Sequence, residues 1–268
     1  MDEIIPAEAP PDPWARFREA TRARIGLERC GDSLSTAALL EFQLAHASAR
    51  DAVHGVAEFD RIAAAIPGRS IRVRSAASDR AVYLRRPDLG RQLNEQSRRL
   101  LEGEAVQEAY DVAFVIADGL SSAAVNDHAT AMMAACLTLL PGWRVAPIVL
   151  AEQARVALGD EVCRLLNAEL CVVLIGERPG LTVANSLGLY LTWQPGIGVK
   201  DSDRNCISNI HEHGLSYEHA ARTLTWLMGE ARQRRLTGIA LKEDAAGDQV
   251  TIENERVALG LGEDRHDR

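Results

Sequence analysis

Two short loops carry residue types that could do chemistry. Asp118-Gly119-Leu120-Ser121 and Gly176-Glu177-Arg178-Pro179-Gly180 each follow an apolar run, residues 112–116 and 171–175, and each combines a carboxylate with glycine. A carboxylate accepts hydrogen bonds from the amides or hydroxyls of a ligand, and glycine lets a ligand approach the backbone. In the competing reading Asp118-Gly119 only makes a tight turn and Glu177 pairs with Arg178 or a nearby helix. A third segment, Asn205-Cys206-Ile207-Ser208-Asn209-Ile210, places a thiol close to His211. No glycine-rich elbow or orienting acid accompanies it, so Cys206 reads as a small buried thiol lining a pocket rather than as a nucleophile. His211-Glu212-His213, with His219, has imidazoles but no further ligand at a defined spacing, and reads as a polar surface loop rather than a metal site. Neither Gly-x-Gly-x-x-Gly nor Gly-x-x-x-x-Gly-Lys-Ser/Thr occurs, which removes the usual signatures of dinucleotide and P-loop nucleotide binding. A crevice suited to a cofactor, without a catalytic set, implies that the chemistry is completed elsewhere. Residues 170–210 therefore point to a cofactor shared with a partner chain.

The elements that must position these loops follow from hydrophobic patterning. Residues 112–116 and 171–175 are continuous apolar runs of the kind buried on both faces of a parallel sheet. After Asp118 a helix rich in Ala, Met and Leu runs until Pro141-Gly142, residues 145–150 form a second apolar run, and residues 155–168 are helical. Pro147 lacks a ladder donor, which places the second run at a sheet edge or bulge. Pro179, Gly180 and Gly188 forbid a good crossover helix after the third run, so residues 187–191 are a strand reached through a loop. Ser216 caps a helix whose apolar stripe is Ala220, Leu224, Leu227, Met228 and Ala231, and Ile239-Ala240-Leu241 reads as a short final strand. The expected fold is α/β, a Rossmann-like C-terminal sheet domain over residues 106–242 preceded by a smaller N-terminal helical region. Open sheets of this kind bind ligands outside the carboxyl ends of their strands, where both loops sit.

Ahead of residue 106 the pattern is helical and rich in arginine. Residues 1–13 contain four prolines and few large apolar groups, and form a flexible or extended segment. A first helix is expected from Pro13 to about Cys30, ahead of Gly31, and a second from a Ser35 cap to about His54. Residues 69–99 hold nine arginines, which read as solvated helix faces paired with Asp79, Asp88, Glu95 and Glu102, or else as a face for nucleic acid or an acidic partner. The charged residues 243–268, with one possible strand at Val250-Thr251-Ile252, form a peripheral tail.

At 268 residues, 47% of them hydrophobic, the chain is long enough for a real core. No apolar stretch reaches the length of a membrane span and Met1-Asp2-Glu3-Ile4-Ile5-Pro6 lacks the regions of a secretory signal, so a cytoplasmic protein is expected. Five cysteines without a Cys-x-x-Cys pair suggest reduced, mostly buried thiols. The formal charge of −8 repels phosphate backbones at long range and argues against nucleic acid as the main partner.

Several ordered segments carry a resemblance to a known family. They are Leu39-Leu40-Glu41-Phe42-Gln43-Leu44-Ala45-His46-Ala47, Tyr83-Leu84-Arg85-Arg86-Pro87-Asp88-Leu89-Gly90, Val115-Ile116-Ala117-Asp118-Gly119-Leu120-Ser121, Val173-Leu174-Ile175-Gly176-Glu177-Arg178-Pro179-Gly180-Leu181 and Asn205-Cys206-Ile207-Ser208-Asn209-Ile210. Together they resemble the small (light) subunit of ethanolamine ammonia-lyase over residues 14–242. The resemblance implies a subunit that binds adenosylcobalamin at an interface with a large subunit, whose barrel holds ethanolamine and most of the catalytic groups. It implies cofactor contacts at Val156, Glu177 and Cys206, with no catalytic residue and no metal ligand in this chain; Asp-x-His-x-x-Gly, which supplies a cobalt ligand in other cobalamin proteins, is absent. The implied reaction begins with homolysis of the cobalt–carbon bond and ends with acetaldehyde and ammonia. It also implies that residues 1–13 could target a bacterial microcompartment. A self-contained Rossmann-like enzyme using Asp118, Glu177 and Cys206 directly is the alternative.

Overall fold

Burial on both faces of a sheet explains the continuous apolar runs. The computed structural model describes residues 12–104, 106–196 and 198–242. In chain order these form α1 (Ala15–Ala20), β1 (Arg29–Cys30), β2 (Ser33–Leu34), α2 (Thr36–His54), α3 (Phe59–Ala65), β3 (Ser70–Arg74), α4 (Arg80–Arg85), α5 (Glu95–Glu102), β4 (Tyr110–Ala117), α6 (Ser122–Thr138), β5 (Ile148–Glu152), α7 (Leu158–Leu166), β6 (Ala168–Gly176), β7 (Leu187–Trp193), β8 (Asn205–Ile210) and α8 (Tyr217–Arg234). β1 and β2 make a small hairpin, and the other six strands form one sheet in the order β3-β5-β4-β6-β7-β8. β3, β5, β4 and β6 are parallel; β7 runs antiparallel to β6, and β8 antiparallel to β7. The fold is α/β, as expected, with helices on both faces.

The period-two alternation of a strand divides the central residues between two cores. Val112, Phe114 and Ile116 of β4 pack with Val125, Met132 and Met133 of α6 and with Leu224 and Met228 of α8. Ala113, Val115 and Ala117 face the opposite layer with Leu158 and Val162 of α7. Capping defines the helix starts: Ser35, Asp79, Asn94, Ser121 and Ser216 each accept a backbone N–H of the first turn. No described helix is long and apolar enough to cross a membrane.

Four local expectations are corrected. The first helix stops at Ala20, because the chain turns extended at Thr21 and left-handed at Gly26, where the Trp14 ring leaves no room for a Cβ. The arginine-rich stretch includes the strand β3, in which Ile71 and Val73 point inward and Arg72 and Arg74 outward, guarding the sheet edge with charge. Its arginines are largely ion-paired: Arg72 and Arg74 share Glu152, Arg98 meets Glu95 and Glu161, and Arg86 meets Asp88. β5 is interior, not an edge, because Pro147 falls just before its ladder and Ile148 N is the first donor, to Arg69 O at 3.0 Å. Ile239-Ala240-Leu241 is a single 3-10 turn with Ile239 80% exposed. The Asn205 side chain takes up the backbone there, donating to Leu241 O at 2.7 Å and accepting from Gly238 N at 2.8 Å. Val250-Thr251-Ile252 lies outside the described residues.

Asp118 ties three segments together at the end of β4. Its carboxylate, 5% exposed, accepts from Gln153 N at 2.9 Å and Ala154 N at 3.0 Å, and lies 3.6 Å from the Arg80 guanidinium. Burial pushes its carboxyl up to about 6, against the pull of those amides and of Arg80. Asp118→Ala should cost about 2–3 kcal/mol in urea denaturation at neutral pH, since two buried amides and a guanidinium lose their acceptor. The raised value means that the native state holds this proton more tightly than the unfolded chain. The stability difference between wild type and variant should therefore be largest below about pH 4 and narrow as pH rises through about 6. A difference that widens over this interval would contradict the assignment.

Candidate functional site

The carboxyl ends of β4, β5 and β6 meet at one crevice, and its two glycine-bearing loops interlock. Leu120 N donates to Gly176 O at 2.9 Å. Gly119 has φ +59°, and a Cβ there would stand 2.3 Å from Gly176 O; a Cβ on Gly176 would stand 2.0 Å from Ser121 O. These glycines thus permit loop-to-loop contact rather than approach by a ligand. With its carboxylate spent on Gln153, Ala154 and Arg80, Asp118 is structural. Of the two loop carboxylates only Glu177 lines the crevice.

That crevice is an open cavity of about 420 Å³, and both Val156 and Glu177 line it, beside Leu120, Ile175, Arg155 and Arg178. Val156 arrives from the turn after β5 and Glu177 from the end of β6, so the parallel order of the strands brings them together. Glu177 is oriented from two sides: its Oε2 accepts from Ser186 Oγ at 2.5 Å and from Asn209 N at 3.4 Å. A Cβ on Gly188 would stand 2.8 Å from Oε1, so the glycine leaves this carboxylate its place against the strand.

Cys206, expected from the sequence as a small buried thiol lining the pocket, is exposed and lies beside the cavity without lining it. It sits on the edge strand β8, directly opposite Tyr190 of β7 and therefore on the same face of the sheet, and Tyr190 itself lines the cavity. Cys206 is exposed at the edge, yet burial on its inner side pushes its thiol up, and the neighbouring Glu177 adds to the effect while Tyr190 opposes it. A raised thiol is a poor nucleophile. His211, buried and lowered by that burial, places Nε2 2.9 Å from Asn209 Oδ1. Cys136, Cys163 and Cys171 are buried free thiols. Among the described residues no three His, Cys, Asp or Glu side chains converge as metal ligands.

Three wall residues escaped the sequence reading: Tyr83, Arg155 and Tyr190. Tyr83 is fully buried and donates to Ala154 O at 3.1 Å, with the guanidinium carbons of Arg80 and Arg155 at 4.8 and 4.5 Å from its ring centroid. Gly90 admits the ring, since a Cβ there would lie 2.9 Å from Cε2, and Gly90 O accepts Arg155 N at 2.8 Å. Tyr83 and Gly90 both fall in the segment Tyr83-Leu84-Arg85-Arg86-Pro87-Asp88-Leu89-Gly90, the one signal that could have drawn attention to them. Arg155 Nε is buried without a hydrogen-bond partner among the described residues. The wall therefore offers a carboxylate acceptor, guanidinium donors and an apolar strip. That set suits an amphipathic ligand bearing amides or anions.

Comparison with known proteins identifies relatives of the chain. The family model described as "Ethanolamine ammonia-lyase light chain (EutC)" matches residues 11–242. A protein of Xanthomonas campestris pv. campestris (strain B100) named ethanolamine ammonia-lyase small subunit is 50% identical over 247 residues, which cover 90% of this chain and 91% of that protein. One of the same name from Pseudomonas putida (strain W619) is 48% identical over 261 residues, 95% of each.

Tyr83→Ala should destabilise the chain by about 3–5 kcal/mol, the range for emptying a buried aromatic site, and should free Arg155 from its stacking partner. Tyr83→Phe keeps the ring and loses one hydroxyl bond, for about 1 kcal/mol. Equal midpoints for the two variants in urea would show that the ring is not the support.

Proposed function

The chain belongs to the ethanolamine ammonia-lyase light-chain family, as the small subunit of that carbon–nitrogen lyase, and from this premise we propose that it supplies one wall of an adenosylcobalamin site closed by the large subunit. The observation that carries the proposal is the single cavity shared by Val156 and Glu177, at the carboxyl ends of the parallel strands, with Cys206 beside Tyr190 at its margin. The residues present fit a corrin edge. Its amide side chains need both acceptors and donors; Glu177 offers the first, and Arg155, with a buried unpartnered Nε, offers the second. A cavity of about 420 Å³ that is open outward takes only one edge of so large a cofactor, so the remaining faces require a second surface.

When bound, the cofactor supplies the radical chemistry that turns ethanolamine into acetaldehyde and ammonia. This chain's residues bind and exclude. Glu177, already oriented by Ser186 and Asn209, accepts from an amide N–H or hydroxyl of the cofactor without further ordering. Val156, Leu120 and Ile175 give apolar contact to the ring periphery, and the small side chain of Cys206, beside Tyr190, leaves room for the ring or its nucleotide tail. Covering this side keeps water from a reactive centre. Substrate binding and the catalytic groups fall to the large subunit. The alternative of a self-contained enzyme loses one of its three residues to structure, since Asp118 is consumed by internal bonds.

Glu177→Ala, assembled with the large subunit, should weaken corrin binding about tenfold or more, read from the visible spectrum on titration with cobalamin, because a charge-assisted hydrogen bond is lost. Subunit association should change little. Unchanged corrin affinity would remove Glu177 from the site.

A further inference from the structure

Large apolar side chains left in water are concentrated in one region of the described surface. Trp14, Phe17, Leu39, Leu40, Phe42 and Leu44 are 40–69% exposed. Four of these lie on α2, whose nineteen residues include one buried side chain, Ala52, in the last turn; α6 and α8, of similar length, bury eight and seven. By helical spacing Leu40 and Leu44 share a face, while Leu39 and Phe42 point to other sides. A helix apolar on several sides belongs in a buried setting, and a contiguous exposed apolar patch marks an interaction surface.

The patch is continuous with the cofactor loop. Glu41, Leu44, Ala45 and Ser48 of α2 share a groove of about 280 Å³ with Leu181 and Thr182, a few residues beyond Glu177. Arg24 links the two, pairing with Glu41 at 3.3 Å and donating to Leu181 O at 3.4 Å, and Trp14 packs on the neighbouring Gly26. The carboxyl end of α2 is held at the same end of the sheet, where Arg80 Nε donates to Val53 O at 2.7 Å and Arg80 Nη1 to Gly119 O at 2.8 Å. The last described residues, by contrast, lie toward the opposite end of the sheet: Thr237 Oγ1 accepts from Trp193 N, and Trp193 pairs with Leu170 near the start of β6. The described chain after α8 therefore ends at the other end of the sheet from α2.

We propose that the apolar face of α1 and α2 is the docking surface for the large subunit, in one continuous footprint with the Glu177 loop. The inference rests on the reading that the large subunit closes the cavity: a chain that covers Glu177 and Arg178 and extends past Leu181 meets α2 next. The occupant must present an apolar groove, since the patch offers side chains and few charges.

The test uses the full chain and measures its affinity for purified large subunit by sedimentation or calorimetry. Leu40→Glu with Leu44→Glu keeps helix propensity and should weaken association at least tenfold, as expected for anchors of an interface, with an unchanged thermal midpoint because both side chains are exposed. Ile239→Glu, an exposed apolar position at the other end of the sheet, should change nothing. Unchanged affinity in the double variant overturns the docking surface and leaves the cofactor reading standing; so does equal weakening by Ile239→Glu. Loss of self-association with full affinity for the large subunit would assign the patch to a second copy, also overturning the proposal. Failure of the wild-type chain to bind the large subunit would sink the cofactor reading itself, and the surface with it.

Discussion

The buried carboxylate of Asp118 is the constraint on which the site depends. It holds the two amides that follow β5, and Arg80 ties it to α4 and to the end of α2. Arg155 and Val156 come directly after those amides, so the direction in which they face the cavity is set by a group that does not itself line it. The interlocked glycines Gly119 and Gly176 complete the junction by bringing the end of β6, and Glu177 with it, against the same turn. Burying a charge at this junction is costly unless it is hydrogen-bonded and paired, and both conditions are met.

Around this junction the molecule divides into a self-sufficient part and an incomplete one. The sheet with α6, α7 and α8 packs its large apolar residues into two cores, one on each face. The amino-terminal helices and the crevice beside them do not close on themselves: α2 leaves leucines in water, and the cavity opens outward. A subunit of a larger enzyme is expected to show this division, since surface that is to be buried on assembly remains apolar in the isolated chain.

Legibility varied with how local the signal was. β4, β6, α6 and α8 could be read because continuous apolar runs and helix-spaced stripes survive any tertiary context, and the caps Ser35 and Ser216 lie next to the helices they start. β3 was hidden among arginines although Ile71 and Val73 alternate with Arg72 and Arg74, the pattern of a strand with one buried face. Pro147 misled because its missing donor matters only inside a ladder, and the ladder begins one residue later. Asp118 and Glu177 looked equivalent as loop carboxylates. Only the strand order shows that one points into the protein and the other into the crevice.

Sequence alone determined the α/β class, the parallel centre of the sheet, the two loops at its carboxyl ends and, through five ordered segments, the family to which the chain belongs. Tertiary structure alone decided which of those residues share a cavity, that Tyr83, Arg155 and Tyr190 complete its wall, and that Cys206 stands exposed beside Tyr190. It also decided that, among the described residues, nothing buries Leu39, Leu40, Phe42 or Leu44 of α2. The reason is physical: apolar periodicity and capping act between neighbours in the chain, whereas the direction of a side chain at a loop end is set by contacts with segments dozens of residues away, as the amides of Gln153 and Ala154 set that of Asp118.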